Sequence, residues 1–343
     1  MGYSLSGQVA AKDLYYGSRV VVLGASGFIG RWVARALYVR GARVHLVVRN
    51  KNIARNILAQ SMVERDIIEG DLRDTGFIGS VYSTIRPAIT FNVAGYGVDR
   101  TERDASTAYQ INAELVRHAS EAIAGTRDPE WQGQDIVHVG TALEYGAIAG
   151  NLSEEATPCP TTLYGQTKLA GTRLLEGCCK TLNIKGLTAR LFTVYGPGEH
   201  EGRLLPSLLD ASRAGTRLPL TAGSQKRDFT YVENIAEALL RLGLVSAARP
   251  GEIVNVATGK LTSVKCFARS AARILGFPED RLVFGALPTR EEEMEHDELA
   301  LERLKQLIAW VPPTSIEEGI RKTLDHEAHC GQVSSPTVGP SRI

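Results

Sequence analysis

The chain has 343 residues, of which 39 are Lys or Arg and 38 are Asp or Glu, so its formal net charge at pH 7 is +1. This balance leaves no basic face for nucleic acid, and the length suits one large unit with a smaller lobe. No apolar run reaches the roughly 18 to 20 residues of a membrane span, and no leader pattern opens the chain. The five cysteines form no Cys-x-x-Cys pair, which is typical of reduced thiols. The composition therefore predicts a cytoplasmic protein without nucleic-acid or membrane partners.

A glycine-rich turn follows the first apolar run. Residues 20–30 read Val-Val-Val-Leu-Gly-Ala-Ser-Gly-Phe-Ile-Gly. Gly24 permits a tight turn, Gly27 keeps a Cβ away from phosphates, and Gly30 lets the next helix lie close to the strand, with its first N–H groups facing an anion. The pattern predicts a dinucleotide-binding turn rather than merely a tight strand–helix connection. The predicted cofactor contacts in this turn are Gly24, Ser26, Gly27, Phe28, Ile29 and Gly30.

Strands and helices alternate along the first half of the chain. Apolar runs predict strands at 43–48, 66–69, 88–93, 135–139 and 186–192, and helical spacing predicts helices that include 105–124 and 163–181. Most strands end in small or polar residues, and an open parallel sheet binds its ligands outside those carboxyl ends. This pattern predicts an α/β protein with a Rossmann-type doubly wound parallel sheet.

The pattern changes after Phe192, where loops rich in Gly, Pro and Arg alternate with short helices. We interpret this half as a smaller C-terminal substrate lobe, with Ile253 to Val256 returning to the main sheet. The predicted boundaries are 18–192 with 228–257 for the Rossmann domain, 193–227 with 258–325 for the substrate lobe, and 1–17 with 326–343 for terminal extensions. The segment His326-x-x-His329-Cys330 imitates a metal cluster, but its polar surroundings favour a frayed terminus and no metal site.

The strongest catalytic pattern is Tyr164-x-x-x-Lys168 at the start of a predicted helix. Residues four apart share a helix face, so the phenol lies beside the ammonium, whose charge is expected to lower the pKa of the phenol. Thr141, at the end of the preceding strand, could hydrogen-bond the substrate oxygen that Tyr164 protonates. Thr141, Tyr164 and Lys168 are therefore the predicted catalytic residues. The alternative is an ordinary Tyr/Lys pair on a helix surface, which would not require a position just after the strand that ends at Thr141.

With these motifs, the chain resembles an extended short-chain dehydrogenase/reductase of the nucleotide-sugar epimerase/dehydratase group. The resemblance covers about residues 18 to 325 and rests on the order and spacing of many motifs. Besides the glycine turn and the Tyr/Lys pair, these are Gly70-Asp71-Leu72, Asn92-Val93-Ala94-Gly95, Gly140-Thr141-Ala142-Leu143-Glu144-Tyr145-Gly146, Arg190-Leu191-Phe192-Thr193-Val194-Tyr195-Gly196-Pro197-Gly198 and Arg227-Asp228-Phe229-Thr230-Tyr231-Val232.

The resemblance implies roles for several of these residues. Asp71, next to Leu72, would contact adenine, and Val93 with Ala94 would support the ribose and nicotinamide side of the cofactor. Lys168 would also hold the nicotinamide ribose. Arg227 would contact the substrate diphosphate, with an interlobe salt bridge as the alternative.

The end of the second strand indicates which cofactor is bound. An acidic residue there would bind a ribose 2′-hydroxyl, whereas a 2′-phosphate needs a cation. This chain has Val47-Val48-Arg49-Asn50-Lys51 and no acidic residue. NADP(H) is therefore favoured through Arg49, and NAD(H) is possible if Arg49 is only a solvated charge.

The residues after Thr141 bear on the reaction type. Sugar 4,6-dehydratases of the group carry acidic residues there, but this chain has Ala142 and Leu143, so dehydration is disfavoured. The ending Glu144-Tyr145-Gly146 is similar to NDP-4-keto-6-deoxyhexose reductases, and the segments 223–229 and 284–290 resemble the CDP-abequose/paratose synthase branch.

Other substrate-side positions depart from the group or leave alternatives open. Thr193 stands where many relatives have Asn, and Arg203 begins the segment that usually packs on the nucleotide base. Tyr96 is a candidate sugar contact with packing as the alternative, and Ala142 completes the predicted substrate side. The run 291–293, Glu-Glu-Glu, is interpreted as a solvated face.

The sequence thus predicts an enzyme that reduces the C4 ketone of a nucleotide-diphosphate-linked 4-keto-6-deoxyhexose with NADPH. The enzymatic alternative is a nucleotide-sugar 4-epimerase with retained NAD, and the non-enzymatic alternative is an NADP-binding sensor or scaffold. The helices at 105–124 and 163–181 correspond to those that pair in dimers of the group, so a homodimer is also expected.

Overall fold

The structure is a computed structural model and describes residues 14–59, 66–98, 101–146, 151–289 and 298–333. Its strands are β1 (Arg19–Leu23), β2 (Arg43–Val48), β3 (Ile67–Glu69), β4 (Ile89–Asn92), β5 (Ile136–Thr141), β6 (Gly186–Leu191), β7 (Thr193–Tyr195), β8 (Leu218–Pro219), β9 (Lys226–Tyr231), β10 (Glu252–Val256), β11 (Leu261–Ser263) and β12 (Leu282–Val283). Its α-helices are α1 (Phe28–Val39), α2 (Lys51–Ala59), α3 (Thr75–Ile85), α4 (Ala105–Tyr109), α5 (Leu115–Thr126), α6 (Leu163–Leu182), α7 (Leu204–Ala214), α8 (Val232–Gly243), α9 (Val264–Leu275), α10 (Glu302–Ile308) and α11 (Ile316–Val333).

The main sheet runs β10-β6-β5-β4-β1-β2-β3, and all its neighbouring strands are parallel. This confirms the predicted Rossmann-type doubly wound α/β fold. The strand order reverses between β1 and β4, where Leu23 pairs with Asn92. Such a reversal opens a crevice outside the carboxyl ends of the strands. The glycine turn after β1 and the Val93-Ala94 segment after β4 both lie at this crevice.

Both faces of the sheet are buried, which explains the unbroken apolar runs of its strands. In β1, Val20 and Val22 join a core with α1 and α8, whereas Val21 and Leu23 join a core with α3, α5 and α6. Successive side chains of a strand point to opposite faces, so a fully apolar run serves both cores.

The second half of the chain adds two small sheets, ordered β11-β9-β7 and β12-β8. Strand β10 pairs with β6, so residues 252–256 lie at the edge of the main sheet. None of the described helices is long and apolar enough to cross a membrane.

The prediction of a frayed terminus from His326 is wrong as far as residue 333, because α11 continues to Val333. Ile316, Ile320 and Leu324 recur every four residues and attach this helix to the core. The His326 ring packs 5.4 Å from the ring of Trp32 in α1. Among the described residues no group of three or more His, Cys, Asp or Glu side chains is placed to hold a metal ion.

Candidate active site

The glycine turn between β1 and α1 has the geometry that an anion site needs. Gly24 has φ +80°, and a Cβ there would lie 2.8 Å from the Ala94 Cα. A Cβ on Gly30 would lie 2.2 Å from the Gly24 carbonyl oxygen, so only glycine lets α1 pack this close to β1. Gly27 precedes α1 without a side-chain cap, and the first turn of α1 has no acidic residue. The first N–H groups of α1 are therefore available to a phosphate.

The other predicted cofactor contacts border the same crevice. Ser26, Phe28 and Ile29 are half-buried in the turn, and the Val93 N–H donates to the Leu23 carbonyl at 3.1 Å. This bond places Val93 and Ala94 beside the turn.

Two charged residues predicted to contact the cofactor follow β2 and β3. Arg49 is exposed, and Asp71 is half-buried beside Leu72. Arg73 Nη2 lies 2.6 Å from Asp71 Oδ2, and this hydrogen bond lowers the pKa of Asp71, with a smaller contribution from the charge of Arg49. The structure thus brings Arg49 within electrostatic reach of Asp71.

The start of α6 places Tyr164 at the crevice. Thr162 caps α6 by accepting a hydrogen bond from the Gly165 N–H at 3.0 Å. A Cβ on Gly165 would lie 2.4 Å from the Leu143 carbonyl oxygen, so the helix packs tightly on the 3₁₀ turn Ala142–Glu144, which Thr141 caps. The Tyr164 ring lies beside Gly97, where a Cβ would be 3.3 Å away. The predicted residues Thr141 and Tyr164 therefore belong to elements in direct contact.

Lys168 lies one turn further along α6 and is 1% exposed. Its Nζ has no hydrogen-bond partner among the residues that the structure describes. Burial lowers its pKa to about 8, against the opposing charge of Glu144. A buried ammonium without a partner is costly, and the hydroxyls of a cofactor ribose would supply the missing acceptors. The residues present therefore fit a dinucleotide.

The predicted lowering of the Tyr164 pKa by Lys168 is wrong for this structure. Burial raises the pKa of Tyr164 above its usual value, the Glu144 charge raises it further, and Arg203 lowers it in part. Burial disfavours phenolate more than the local cations favour it. Tyr164 is thus held as a neutral phenol, the form that can donate a proton.

Glu144 has a structural task that the sequence analysis missed. It is fully buried, and its Oε1 accepts from the Thr141 N–H at 2.8 Å. Its Oε2 accepts from Arg190 Nε and from Thr172 Oγ1, both at 2.9 Å. The Thr-x-x-Glu spacing of a capping box was the available signal. Glu144 therefore orders the turn that carries Thr141 and has no free oxygen for chemistry.

Asn112 is a second residue that sequence reasoning missed. It lies in a π-helical turn, Gln110–Glu114, between α4 and α5. Its Nδ2 donates to the Tyr96 carbonyl at 2.8 Å and to Thr167 Oγ1 at 2.9 Å, and its Oδ1 accepts from the Tyr96 N–H at 3.0 Å. Asn112 thus joins the half-buried Tyr96 segment to α6, and no periodic pattern in the sequence indicates such a π-helical turn.

Of the predicted substrate residues, Thr193, Arg203 and Arg227 lie in the segment 193–227, whereas Ala142 lies in the turn after β5. Ala142 is buried in the turn after Thr141. Thr193 and Arg227 are half-buried on β7 and β9, which are neighbouring parallel strands. Arg203 precedes α7, and its Nε lies 3.5 Å from Glu199 Oε1. Residues 291–293, predicted as a solvated acidic face, lie outside the described residues.

Glu199 itself was not predicted. Its side chain is 6% exposed, and its Oε2 has no hydrogen-bond partner within the described ranges. Burial raises its pKa to about 7, against the lowering effect of Arg203. Glu199 is thus a buried carboxyl whose ion-pair partner, Arg203, is one of the predicted substrate contacts.

The family model described as "NAD dependent epimerase/dehydratase family" matches residues 20–257. The chain is 28% identical over 319 residues to dTDP-6-deoxy-L-talose 4-dehydrogenase (NAD(P)(+)) of Kitasatospora kifunensis, covering 89% of this chain and 94% of that protein. It is 26% identical over 329 residues to UDP-glucose 4-epimerase of Mycolicibacterium smegmatis, covering 90% and 97%.

Solved structures show the same fold. Epimerase Mth375 of Methanothermobacter thermautotrophicus superposes with a TM-score of 0.82 at 20% identity, covering 94% of this chain and 96% of that one. UDP-glucuronic acid 4-epimerase of Bacillus cereus, solved with UDP-glucuronic acid and NAD, superposes with a TM-score of 0.78 at 21% identity, covering 91% and 99%.

Proposed function

Because this chain belongs to the NAD dependent epimerase/dehydratase family, we propose that it is an NADPH-dependent ketoreductase acting at C4 of a nucleotide-linked 4-keto-6-deoxyhexose. The relative from Kitasatospora kifunensis is named as a dehydrogenase at C4 of a dTDP-linked 6-deoxy sugar. Oxidation of a C4 hydroxyl is the reverse of C4 ketone reduction, so that name supports the proposed chemistry.

The observation that carries the proposal is the placement of Thr141 and Tyr164 on elements in direct contact, with Lys168 one turn further along the helix that carries Tyr164. Reduction of a ketone consumes one hydride and one proton, and the bound nicotinamide would supply the hydride. Tyr164, as a neutral phenol, would donate the proton to the C4 oxygen. The Thr141 hydroxyl would orient that oxygen, and Lys168 would hold the ribose and stabilise the phenolate that forms.

The region around Thr141 disfavours a dehydratase. Dehydration requires a carboxylate that removes a proton beside the ketone, yet Ala142 and Leu143 fill the two positions after Thr141. Glu144, the next carboxylate, accepts hydrogen bonds from Thr141, Thr172 and Arg190 inside the protein. It cannot serve as a base without the loss of this network.

NADP(H) is the proposed cofactor because of Arg49. The segment after β2 carries this exposed cation and no acidic side chain through Lys51. A guanidinium pairs with a 2′-phosphate, whereas a carboxylate would be needed to bind the 2′-hydroxyl of NAD. NAD(H) stays the alternative, with Arg49 as a solvated charge.

A 4-epimerase with retained NAD is the second candidate, favoured by the similarity to UDP-glucose 4-epimerase of Mycolicibacterium smegmatis. An epimerase keeps its nicotinamide through purification, whereas a reductase exchanges it at every turnover. A non-catalytic NADP-binding sensor or scaffold is a third, more distant reading, since it would not need Thr141, Tyr164 and Lys168 together.

The deciding experiment offers CDP-, dTDP- and GDP-4-keto-6-deoxyhexoses with NADPH and follows cofactor absorbance and product NMR. We expect NADPH consumption with one of these substrates and a new C4 hydroxyl in its product. UDP-glucose without added cofactor is the parallel assay, and its conversion by protein that carries bound NAD would establish the epimerase instead. If nothing is converted in either assay, the sensor or scaffold is favoured.

We also propose a homodimer through α4, α5 and α6. Tyr109 in α4 and Leu163 in α6 are 45% and 39% exposed, which leaves apolar surface on these helices for a second copy. Light scattering at micromolar concentration should give twice the 37.1 kDa chain mass. A strict monomer would contradict the dimer.

A further inference from the structure

Arg31 lies one turn into α1, and its side chain folds back over the glycine turn. Its Nε donates to the Gly27 carbonyl at 3.3 Å and its Nη2 to the Ser26 carbonyl at 3.5 Å. Helical side chains lean toward the N-terminus, so this placement follows from the helix geometry. The guanidinium also touches the substrate-lobe loop, because a Cβ on Gly198 would lie 2.4 Å from Arg31 Nη1.

The charged neighbours of Arg31 in the described part of the chain include no counter-ion for its guanidinium. Among the described residues, no carboxylate forms an ion pair with this guanidinium, and burial lowers the pKa of Arg31. The first turn of α1 is the positive end of the helix dipole, so a cation there is unfavourable unless an anion joins it. Two features of the chain therefore point to the same missing negative group.

We propose that Arg31 is a cofactor-binding residue that pairs with the pyrophosphate of the dinucleotide. The inference rests on the proposed cofactor class and adds a cation to the backbone N–H groups of the glycine turn. Ser26 and Gly27, whose carbonyls Arg31 contacts, belong to the turn where the pyrophosphate would lie. Arg49 follows β2 instead, so the two cations divide the work. Arg31 would strengthen the binding of every dinucleotide, and Arg49 would select the one with a 2′-phosphate.

Trp32 fixes the position of the loop that Arg31 contacts. Its Nε1 donates to the Pro197 carbonyl at 3.0 Å, so the loop next to Gly198 is fixed on α1. Arg31 is thereby packed between the cofactor turn and this loop. A substrate diphosphate is the competing ligand for the same cation, and a cation that serves only the substrate would leave the affinity for the dinucleotide unchanged when it is replaced.

The test compares Arg31→Met with wild type by calorimetric titration of NADPH, NADH, ADP-ribose and 2′-AMP. The first three ligands contain the pyrophosphate and the last does not. Loss of a charge-assisted phosphate contact should weaken the first three by a common factor of about ten to a hundred and leave 2′-AMP unchanged. Arg31→Lys, which keeps the charge, should recover part of the affinity.

Arg35→Met is the matched control, because Arg35 lies one turn further along α1 and its Nη1 is 3.5 Å from Glu233 Oε1. It should bind all four ligands as wild type does. Equal affinity of Arg31→Met and wild type for NADPH, NADH and ADP-ribose would overturn the inference and leave the cofactor class intact. Failure of wild type to bind NADPH, NADH and ADP-ribose would overturn the cofactor class and the inference together.

Discussion

Replacement of Lys168 by Met should stabilise the cofactor-free protein and weaken its cofactor binding. Lys168 is 1% exposed, its Nζ lacks a hydrogen-bond partner among the described side chains and backbone, and burial lowers its pKa from 10.5 to about 8. The folded state therefore binds this proton less tightly than the unfolded state does. At 1.36 kcal/mol per pKa unit, the ammonium costs about 3 kcal/mol of folding free energy at pH 7.

The sign of the pH dependence follows from the lowered pKa. Stability is fully present above the unfolded pKa of 10.5 and is lost as the pH falls through about 8. Lys168→Met should thus raise the free energy of unfolding by about 3 kcal/mol at pH 7 and by about 1.5 kcal/mol at pH 9.5. Urea unfolding of the cofactor-free protein at both pH values measures it.

Lys180→Met is the matched control, since Lys180 lies on the same helix with 62% of its side chain exposed and pairs with Glu176. It should change stability by less than about 0.5 kcal/mol. In the same preparations, Lys168→Met should bind NADPH about tenfold or more weakly because the ribose loses a charged donor. A variant that is less stable than wild type at pH 7, or that binds NADPH normally, would refute this reasoning.

Three further predictions concern single side chains. Tyr164→Phe should lower turnover by about 10² to 10⁴ while NADPH binding survives, as steady-state kinetics and titration can show; near-normal turnover would remove Tyr164 as the acid. Arg49→Ala should weaken NADPH about tenfold or more and leave NADH unchanged, and equal weakening of both would remove the 2′-phosphate assignment. Burial raises the pKa of Glu199 from 4.5 to about 7. The contribution of Glu199 to the stability of the folded protein is therefore fully present below pH 4.5 and is lost as the pH rises through 7. Glu199→Gln should therefore gain about 2 to 3 kcal/mol over wild type between pH 4.5 and 8 in urea unfolding, and a constant difference would contradict the pKa.

The sheet was predictable because its signals are local. The apolar run that became β2 was predicted with the bounds that the structure has, 43–48, and the other main-sheet strands differ by one or two residues at their ends. Gly24 and Gly30 announced close contacts that the structure shows, since a Cβ on either would collide with backbone. The hydrophobic period of a strand and the need for glycine at a close backbone contact can both be recognised from consecutive residues.

The electrostatics of the site were not predictable, because they depend on burial. The spacing of Tyr164 and Lys168 placed both on α6, yet it said nothing of the desolvation that raises one pKa and lowers the other. The sequence also offered no sign that Glu144 is buried with Arg190, because the hydrogen-bond partners of Glu144 lie on β6 and α6, far from it in the chain. Long-range pairing of buried charges leaves no periodic trace.

The two terminal segments were predicted as extensions because their apolar residues stand among polar ones. Tyr15, placed in a terminal extension, is fully buried and donates to the Leu240 carbonyl at 2.7 Å. The helix α11 was hidden by its many charged residues, although Ile316, Ile320 and Leu324 were spaced for one apolar stripe. A single stripe of three residues is too weak a signal against a polar background.

The most direct test of the account follows the hydride itself. NADPH deuterated at both C4 positions of its nicotinamide is incubated with wild-type protein and the 4-keto-6-deoxyhexose nucleotide that it accepts, and the product is examined by NMR. Reduction of the C4 ketone should place one deuterium on sugar C4 and give one equivalent of oxidised cofactor for each product formed. A product without deuterium, or an inverted sugar formed with no net oxidation of NADPH, would contradict C4 ketone reduction.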